Sequence, residues 1–246
     1  MLTHPTIEKL KELKLHAMAR ALEEQLSSEK AGELSFEERL GLLVDREMTE
    51  KEDRRLTSRL KTAALRLSSA VLEDIDYAAS RGLDRGLLQS LASCEWARKK
   101  QNVLVAGATG TGKTFLACAL GHQACRDGFK TRYFRLSRLF QYLGIARGDG
   151  RYMRVLERLS KTDVLILDDW GLSGLTDSER TDLLEILEDR HGHRSTIIAS
   201  QLPLNDWHQS IGNPTIADAI LDRLVHNAHI LTLKGSESMR KKRSEE

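Results

Sequence analysis

Residues 103–114 read VLVAGATGTGKT: four apolar residues run into alternating glycine and threonine closed by a single lysine. From Gly107 through Ala108, Thr109, Gly110, Thr111, Gly112 and Lys113 to Thr114 the stretch matches G-x-x-x-x-G-K-[ST] in full. Glycines permit the turns that aim successive backbone N–H groups inward, which makes a cradle for phosphate oxygens. The following FLACALGHQAC (115–125) has a helical pattern, and a helix start presents its positive end to the same anion. In that setting Lys113 reaches the β- and γ-phosphates and the Thr114 hydroxyl ligates magnesium. The bland alternative is an ordinary glycine-rich turn from strand to helix. The complete spacing, between an apolar strand and a helix, weighs against it. ATP and Mg²⁺ are therefore the expected cofactors.

VLILDDW (164–170) supplies a second half. A strand that ends in two carboxylates puts them at the C-terminal edge of a sheet, where open α/β folds bind ligands. Asp168 is expected in the magnesium shell and Asp169 beside the attacking water. The next apolar run, STIIAS (195–200), ends at Ser200 and Gln201, and either could face the γ-phosphate. A polar residue there is equally what any sheet-to-loop exit shows.

Working outward, short apolar runs alternate with helical stretches after about residue 100: NVLVAG, KTRYF, DVLILDD and STIIAS, separated by helical regions. Runs with so little polar alternation predict parallel strands covered on both faces. The fold class expected is α/β, a parallel sheet with helices on both faces. Upstream the chain reads as helical. Ile7, Leu10, Leu13, Leu15, Met18 and Leu22 recur at spacings of about three to four. SFEERL (35–40) has the form of a capping box, continued by Leu40, Leu43, Val44 and Met48 as an apolar stripe. The expected division is a small all-α domain over 1–75 that binds a partner or a second copy, then a nucleotide-binding domain over 76–246.

With 246 residues, 40% of them hydrophobic, the chain can bury a sizeable core, and a net charge of +2 names no partner. Cys94, Cys118 and Cys125 form no CxxC, so neither a disulfide framework nor a zinc site is expected. The N-terminus lacks a signal-like apolar stretch and no run of 18 apolar residues occurs. A cytoplasmic protein with no membrane partner is the expectation. HGHR (191–194) offers two histidines without an evident third ligand and reads as a polar loop.

GATGTGKT, VLILDDWGL (164–172), TIIASQLP (196–203), the helical N-terminal segment and the DRL…LTLKGSESMRK ending together resemble the IstB-type transposition-helper ATPases of insertion sequences. These sit in the initiator and helicase-loader branch of the AAA+ proteins, with the DnaC loaders as relatives. The phosphate loop is shared by many ATPases, whereas DDWGL followed by ASQLP is specific to this group. The resemblance implies an AAA+ sheet, with Lys113 and Thr114 in the first ATP motif and Asp168 and Asp169 in the second. It puts Ser200 and Gln201 at the sensor-1 segment and makes Arg223 the finger that acts on a neighbour's ATP. Arg240 becomes the sensor-2 arginine, in a minimal C-terminal lid. Where most AAA+ proteins carry Glu, Asp169 is one methylene shorter, which implies slow hydrolysis; stimulation by DNA is a further expectation.

Residues 130–161 carry nine basic residues against two acidic ones. Arg135, Arg138, Arg147, Arg151, Arg154 and Arg158, with Tyr152 interleaved, would form a stripe suited to phosphates along a nucleic-acid backbone. A solvated charged face is the plain alternative. The resemblance favours function, since initiator-type ATPases place a DNA-gripping helical insertion here. No base-reading module is apparent, so sequence-tolerant binding is expected. The leading reading is an ATPase that oligomerises on duplex DNA, with ATP at subunit interfaces, and presents a target to a transposase. The alternative is a DnaC-like helicase loader on single strands. A small-molecule kinase and a DNA-coating protein that uses ATP only as an assembly switch fit less well.

Overall fold

A computed structural model describes residues 5–28, 31, 33–77 and 82–235. The chain divides into two compact units, Met1–Ser58 and Arg59–Glu246.

The first unit is helical. The N-terminal run is broken rather than continuous: α1 (Pro5–Glu12) and α2 (His16–Ser27) are separated where Lys14 takes a left-handed φ of +61°. Leu13 and Leu15 thus fall outside both helices, and Leu13 is exposed. The chain after α2 leads to α3 (Phe36–Ala63), which opens as the capping box expected: Ser35 N donates to Glu38 Oε2 at 2.8 Å and Glu38 N to Ser35 Oγ at 3.2 Å. Of the expected stripe on α3 only Leu43 is buried, while Leu40, Val44 and Met48 are exposed. A carboxylate supplies what α2 lacks at its own start. Glu47 of α3 accepts from Ala17 N at 2.9 Å and Met18 N at 3.0 Å, covering two N–H groups of the first turn.

In the second unit a 3₁₀ turn (Leu72–Asp74) leads to α4 (Arg85–Ala92) and α5 (Glu95–Arg98), and then the α/β layer begins. In order come β1 (Asn102–Gly107), α6 (Lys113–Arg126), β2 (Thr131–Arg135), α7 (Leu136–Gly148), α8 (Tyr152–Ser160), β3 (Val164–Trp170) and α9 (Asp177–Arg190). β4 (Ser195–Ser200), α10 (Trp207–Ile211), α11 (Pro214–Val225) and β5 (Ala228–Leu233) follow. The five strands are parallel in the order β2-β3-β4-β1-β5. β1, β3 and β4 are almost wholly buried, as their unbroken apolar runs require. At the edge, β5 alternates along AHILTL and is only partly covered.

Beneath the sheet's other end sits Arg190, 1% exposed at the close of α9. Its guanidinium donates to Leu159 O at 2.6 Å, Thr162 O at 2.7 Å and Thr196 Oγ1 at 3.1 Å, and also to Ser195 O. One side chain thereby ties α9 to the ends of α8 and β4. Cys94 and Cys118 are buried, and burial pushes their thiols up to about 12 and about 11, which makes them inert.

Candidate functional site

The C-terminal ends of β1, β3 and β4 assemble the site. Leaving β1, Gly107 passes so close to β5 that a Cβ there would lie 2.4 Å from Leu233 O, which only glycine permits. Gly112, with φ +95°, is the N-cap of α6. Between them Thr111 Oγ1 donates to Ala108 O at 2.9 Å and Lys113 Nζ to the same carbonyl at 2.7 Å. Lys113 is therefore folded back over the loop onto the Ala108 carbonyl. Loop, helix start and lysine together supply the donor groups that a polyphosphate needs.

Opposite the loop, the pairing of β3 with β4 shifts register between Leu167 and Trp170. Asp169 lies in this irregularity with a left-handed φ of +62°, a strained conformation of the kind found at working sites. The bend separates the two carboxylates. Asp168, 2% exposed, accepts from Thr114 Oγ1 at 2.8 Å, from the Tyr133 hydroxyl at 2.7 Å and from Asp169 N at 2.9 Å. Burial pushes the Tyr133 phenol well above its ordinary range, and the adjacent Asp168 carboxylate adds to that, so Tyr133 stays a donor. Asp169 is the more exposed and faces two guanidinium groups, Arg66 at 3.7 Å and Arg135 at 3.9 Å.

Ser200 and Gln201 differ in what they can offer. Ser200 is fully buried; its hydroxyl donates to Trp170 O at 3.1 Å and accepts from Leu202 N at 3.0 Å. Gln201 sits at the phosphate loop, its Oε1 accepting from Thr109 Oγ1 at 2.7 Å.

Arg223 is far from this edge. Asn102, which opens β1, donates from Nδ2 to Arg223 O at 3.0 Å, whereas the loop leaves the strand's other end, roughly 17 Å away for six residues. The Arg223 guanidinium donates to Ala219 O at 2.8 Å and pairs with Glu188. Arg240 lies outside the described residues.

The basic set divides. Arg135 ends β2 at the nucleotide edge beside Asp169. Arg138 donates to Gln141 Oε1 at 3.0 Å and Arg151 pairs with Asp149. Arg147 and Tyr152 turn to α9 and converge on Asp182, which is 2% exposed. The tyrosine hydroxyl lies 2.6 Å from Asp182 Oδ1, and the Arg147 guanidinium sits 4.2 Å from the tyrosine ring centre. Arg154 and Arg158 are exposed on α8, whose Val155, Leu156 and Leu159 are buried. Sequence reasoning missed Arg66, Tyr133 and Asp182. None belongs to a motif, and only their placement in the fold brings them to the site or the insertion.

Comparison with known proteins adds to this geometry. The family model described as IstB-like ATP binding protein matches residues 8–246. An insertion-sequence ATP-binding protein of Sinorhizobium fredii is 54% identical over 241 residues, covering 98% of each chain. The insertion sequence IS21 ATP-binding protein of Pseudomonas aeruginosa is 34% identical over 95% of this chain and 87% of its own. Among solved structures, the DnaC helicase loader aligns with a TM-score of 0.55 at 22% identity, over 67% of this chain and 97% of that one. DnaI aligns with 0.58 at 20% identity, over 68% and 92%. The fold is that of the AAA+ P-loop domains.

Proposed function

The chain belongs to the IstB-like ATP-binding proteins of insertion sequences, and from that membership we propose that it is a DNA-binding ATPase that oligomerises on duplex DNA and helps present a target site to a transposase. One observation carries the chemistry. The phosphate loop and the end of β3 meet at the Thr114–Asp168 hydrogen bond, and Asp169 stands beside it, more open to water.

Thr114 and Asp168 have the oxygen chemistry to hold Mg²⁺, which when bound draws charge from the phosphate oxygens. Lys113 and the loop N–H groups bind the β- and γ-phosphates. Asp169 takes a proton from the water whose oxygen attacks the γ-phosphorus, as the bond to the β–γ bridging oxygen breaks and ADP leaves. With its hydroxyl spent on backbone partners, Ser200 supports the strand end, while Gln201 is the sensor-1 residue that orients water. Arg66 and Arg135 hold the short Asp169 carboxylate, which fits slow turnover.

Distance from its own loop suits Arg223 to a neighbour's nucleotide, while the sensor role of Arg240 in its own subunit rests on the family resemblance alone. Arg138, Arg151, Arg154 and Arg158 contact DNA phosphates, with Arg147 and Tyr152 fixing the α7–α8 hairpin that carries them and Arg135 linking it to the nucleotide edge. The helical N-terminal unit, with exposed Phe36, Leu42 and Met48, takes the partner or a second copy.

The test is binding to labelled random-sequence duplex and single-stranded DNA with ATP, with ADP and without nucleotide, using Lys113→Ala as control. Salt-sensitive duplex binding that needs ATP and is lost in the variant supports the reading. A preference for single strands replaces it with a helicase loader. No DNA binding in any nucleotide state removes both.

A further inference from the structure

Thr109 and Gln201 stand 92 positions apart in sequence and meet at one hydrogen bond, the threonine hydroxyl donating to Gln201 Oε1 at 2.7 Å. The sheet brings them together. β1 and β4 run in parallel register with Ala106 opposite Ser200, so the segments that leave these two strands emerge side by side.

Both backbones are braced where they leave the sheet. On the loop, Ala108 O accepts from Lys113 Nζ at 2.7 Å and from Thr111 Oγ1 at 2.9 Å, which holds the residue just before Thr109. On the strand, Ser200 Oγ donates to Trp170 O at 3.1 Å and accepts from Leu202 N at 3.0 Å. Leu202 O in turn accepts from the Trp207 indole at 3.1 Å, and the Trp207 ring packs on Trp170 with centres 5.0 Å apart. Gly171 presses on the same leucine, since a Cβ there would lie 2.5 Å from Leu202 Cδ1. With the residues on either side of it held in this way, Gln201 has its side chain left to vary, and the terminal amide torsion of glutamine is broad and roughly two-fold.

That torsion decides the chemistry. The amide offers an acceptor at Oε1 and two donors at Nε2, whereas the ionised oxygens of a terminal phosphate only accept. Turned the wrong way, Gln201 would set one acceptor against another. We propose that Thr109 is a positioning residue for Gln201: its hydroxyl pins Oε1 and so turns Nε2 to the γ-phosphate, and the pair is the means by which the chain tells ATP from ADP. Oε1 keeps a second lone pair for the attacking water. The role rests on Gln201 being the sensor residue, and Thr109 is the side chain that aims it. Because Thr109 is exposed, water competes for the bond and its effect is a small multiple.

The experiment measures, by calorimetry on the full chain with magnesium, the affinities for ADP and for an ATP analogue with nitrogen at the β–γ bridge. Thr109→Val removes the hydroxyl and should lower the preference for the analogue over ADP about fivefold, with ADP affinity and melting midpoint unchanged. Thr109→Ser keeps the hydroxyl and should restore the preference. Equal losses for both nucleotides would mean that Thr109 only shapes the loop, and would overturn the proposal. Gln201→Leu tests the premise separately. If that substitution leaves the preference unchanged, Gln201 is not the sensor and the proposal falls with it. If it lowers the preference while Thr109→Val does not, the sensor stands and the role of Thr109 is overturned. In the Gln201→Leu background Thr109→Val should have no further effect. A further loss of the same size would show that Thr109 meets the phosphate itself, which also overturns its positioning role.

Discussion

Thr114 Oγ1 donates to Asp168 Oδ2 at 2.8 Å, so the residue that follows the loop lysine touches the carboxylate that begins the acidic pair of β3. Fifty-four positions separate them in sequence. The contact pre-sets the spacing of two oxygen groups that a hard cation requires.

Thr114→Val keeps the branched shape and removes the hydroxyl. Affinity for ATP in the presence of magnesium should fall about tenfold, the loss of one hydrogen bond to a charged group, while affinity in excess chelator stays within about threefold. Fluorescent-nucleotide titrations with and without magnesium check this. Equal losses in both conditions would mean that Thr114 acts on the phosphates rather than on the metal.

Asp169→Asn separates binding from chemistry. Asparagine tolerates the left-handed backbone at this position, so the strand end keeps its shape. Nucleotide affinity should be unchanged and phosphate release should drop by about 100-fold or more, as removal of a general base does. Unchanged turnover would take the base role away from Asp169.

Within the basic insertion the arginines should fall into two classes. Replacing Arg154 and Arg158 together by alanine should weaken duplex binding and lower the log–log salt slope by about two, close to one per phosphate contact, with no change in melting midpoint. Arg147→Ala strips a guanidinium from buried Asp182. Discounted for its partial exposure, that costs about 1–2 kcal/mol, or a few degrees of melting temperature. A salt slope insensitive to Arg154 and Arg158 would mean that α8 does not meet the phosphates.

Legibility in the sequence followed burial. β1, β3 and β4 announce themselves because both faces are covered and their central residues are apolar, and the phosphate loop because its chemistry dictates each spacing. β5 did not, since an edge strand with one half-covered face carries a weak alternating signal in AHILTL. The break at Lys14 was hidden because Leu13 and Leu15 keep the helical rhythm across it. Arg66 lies about a hundred residues before Asp169, and Asp182 is one carboxylate among several on α9. Only the folded chain distinguishes such residues from their neighbours.

Acid should act on the helical unit through Glu47. Burial tends to raise this carboxyl, but the Met18 and Ala17 N–H groups and nearby Lys51 outweigh it, and the net position is below the ordinary 4.5. A carboxyl depressed in the folded state stabilises that state above its unfolded value and ceases to do so as pH falls through the folded one. The contribution is therefore complete at pH 7 and fades below about pH 4.5. Glu47→Gln keeps the shape and one acceptor but lacks the charge, so at pH 7 the amides of Ala17 and Met18 should lose about tenfold in hydrogen-exchange protection, corrected for intrinsic rates. As the pH falls through the depressed folded-state value the wild-type and variant proteins should converge. A gap that does not narrow with acid would show that the side chain works through shape alone, and that the start of α2 is not held by charge.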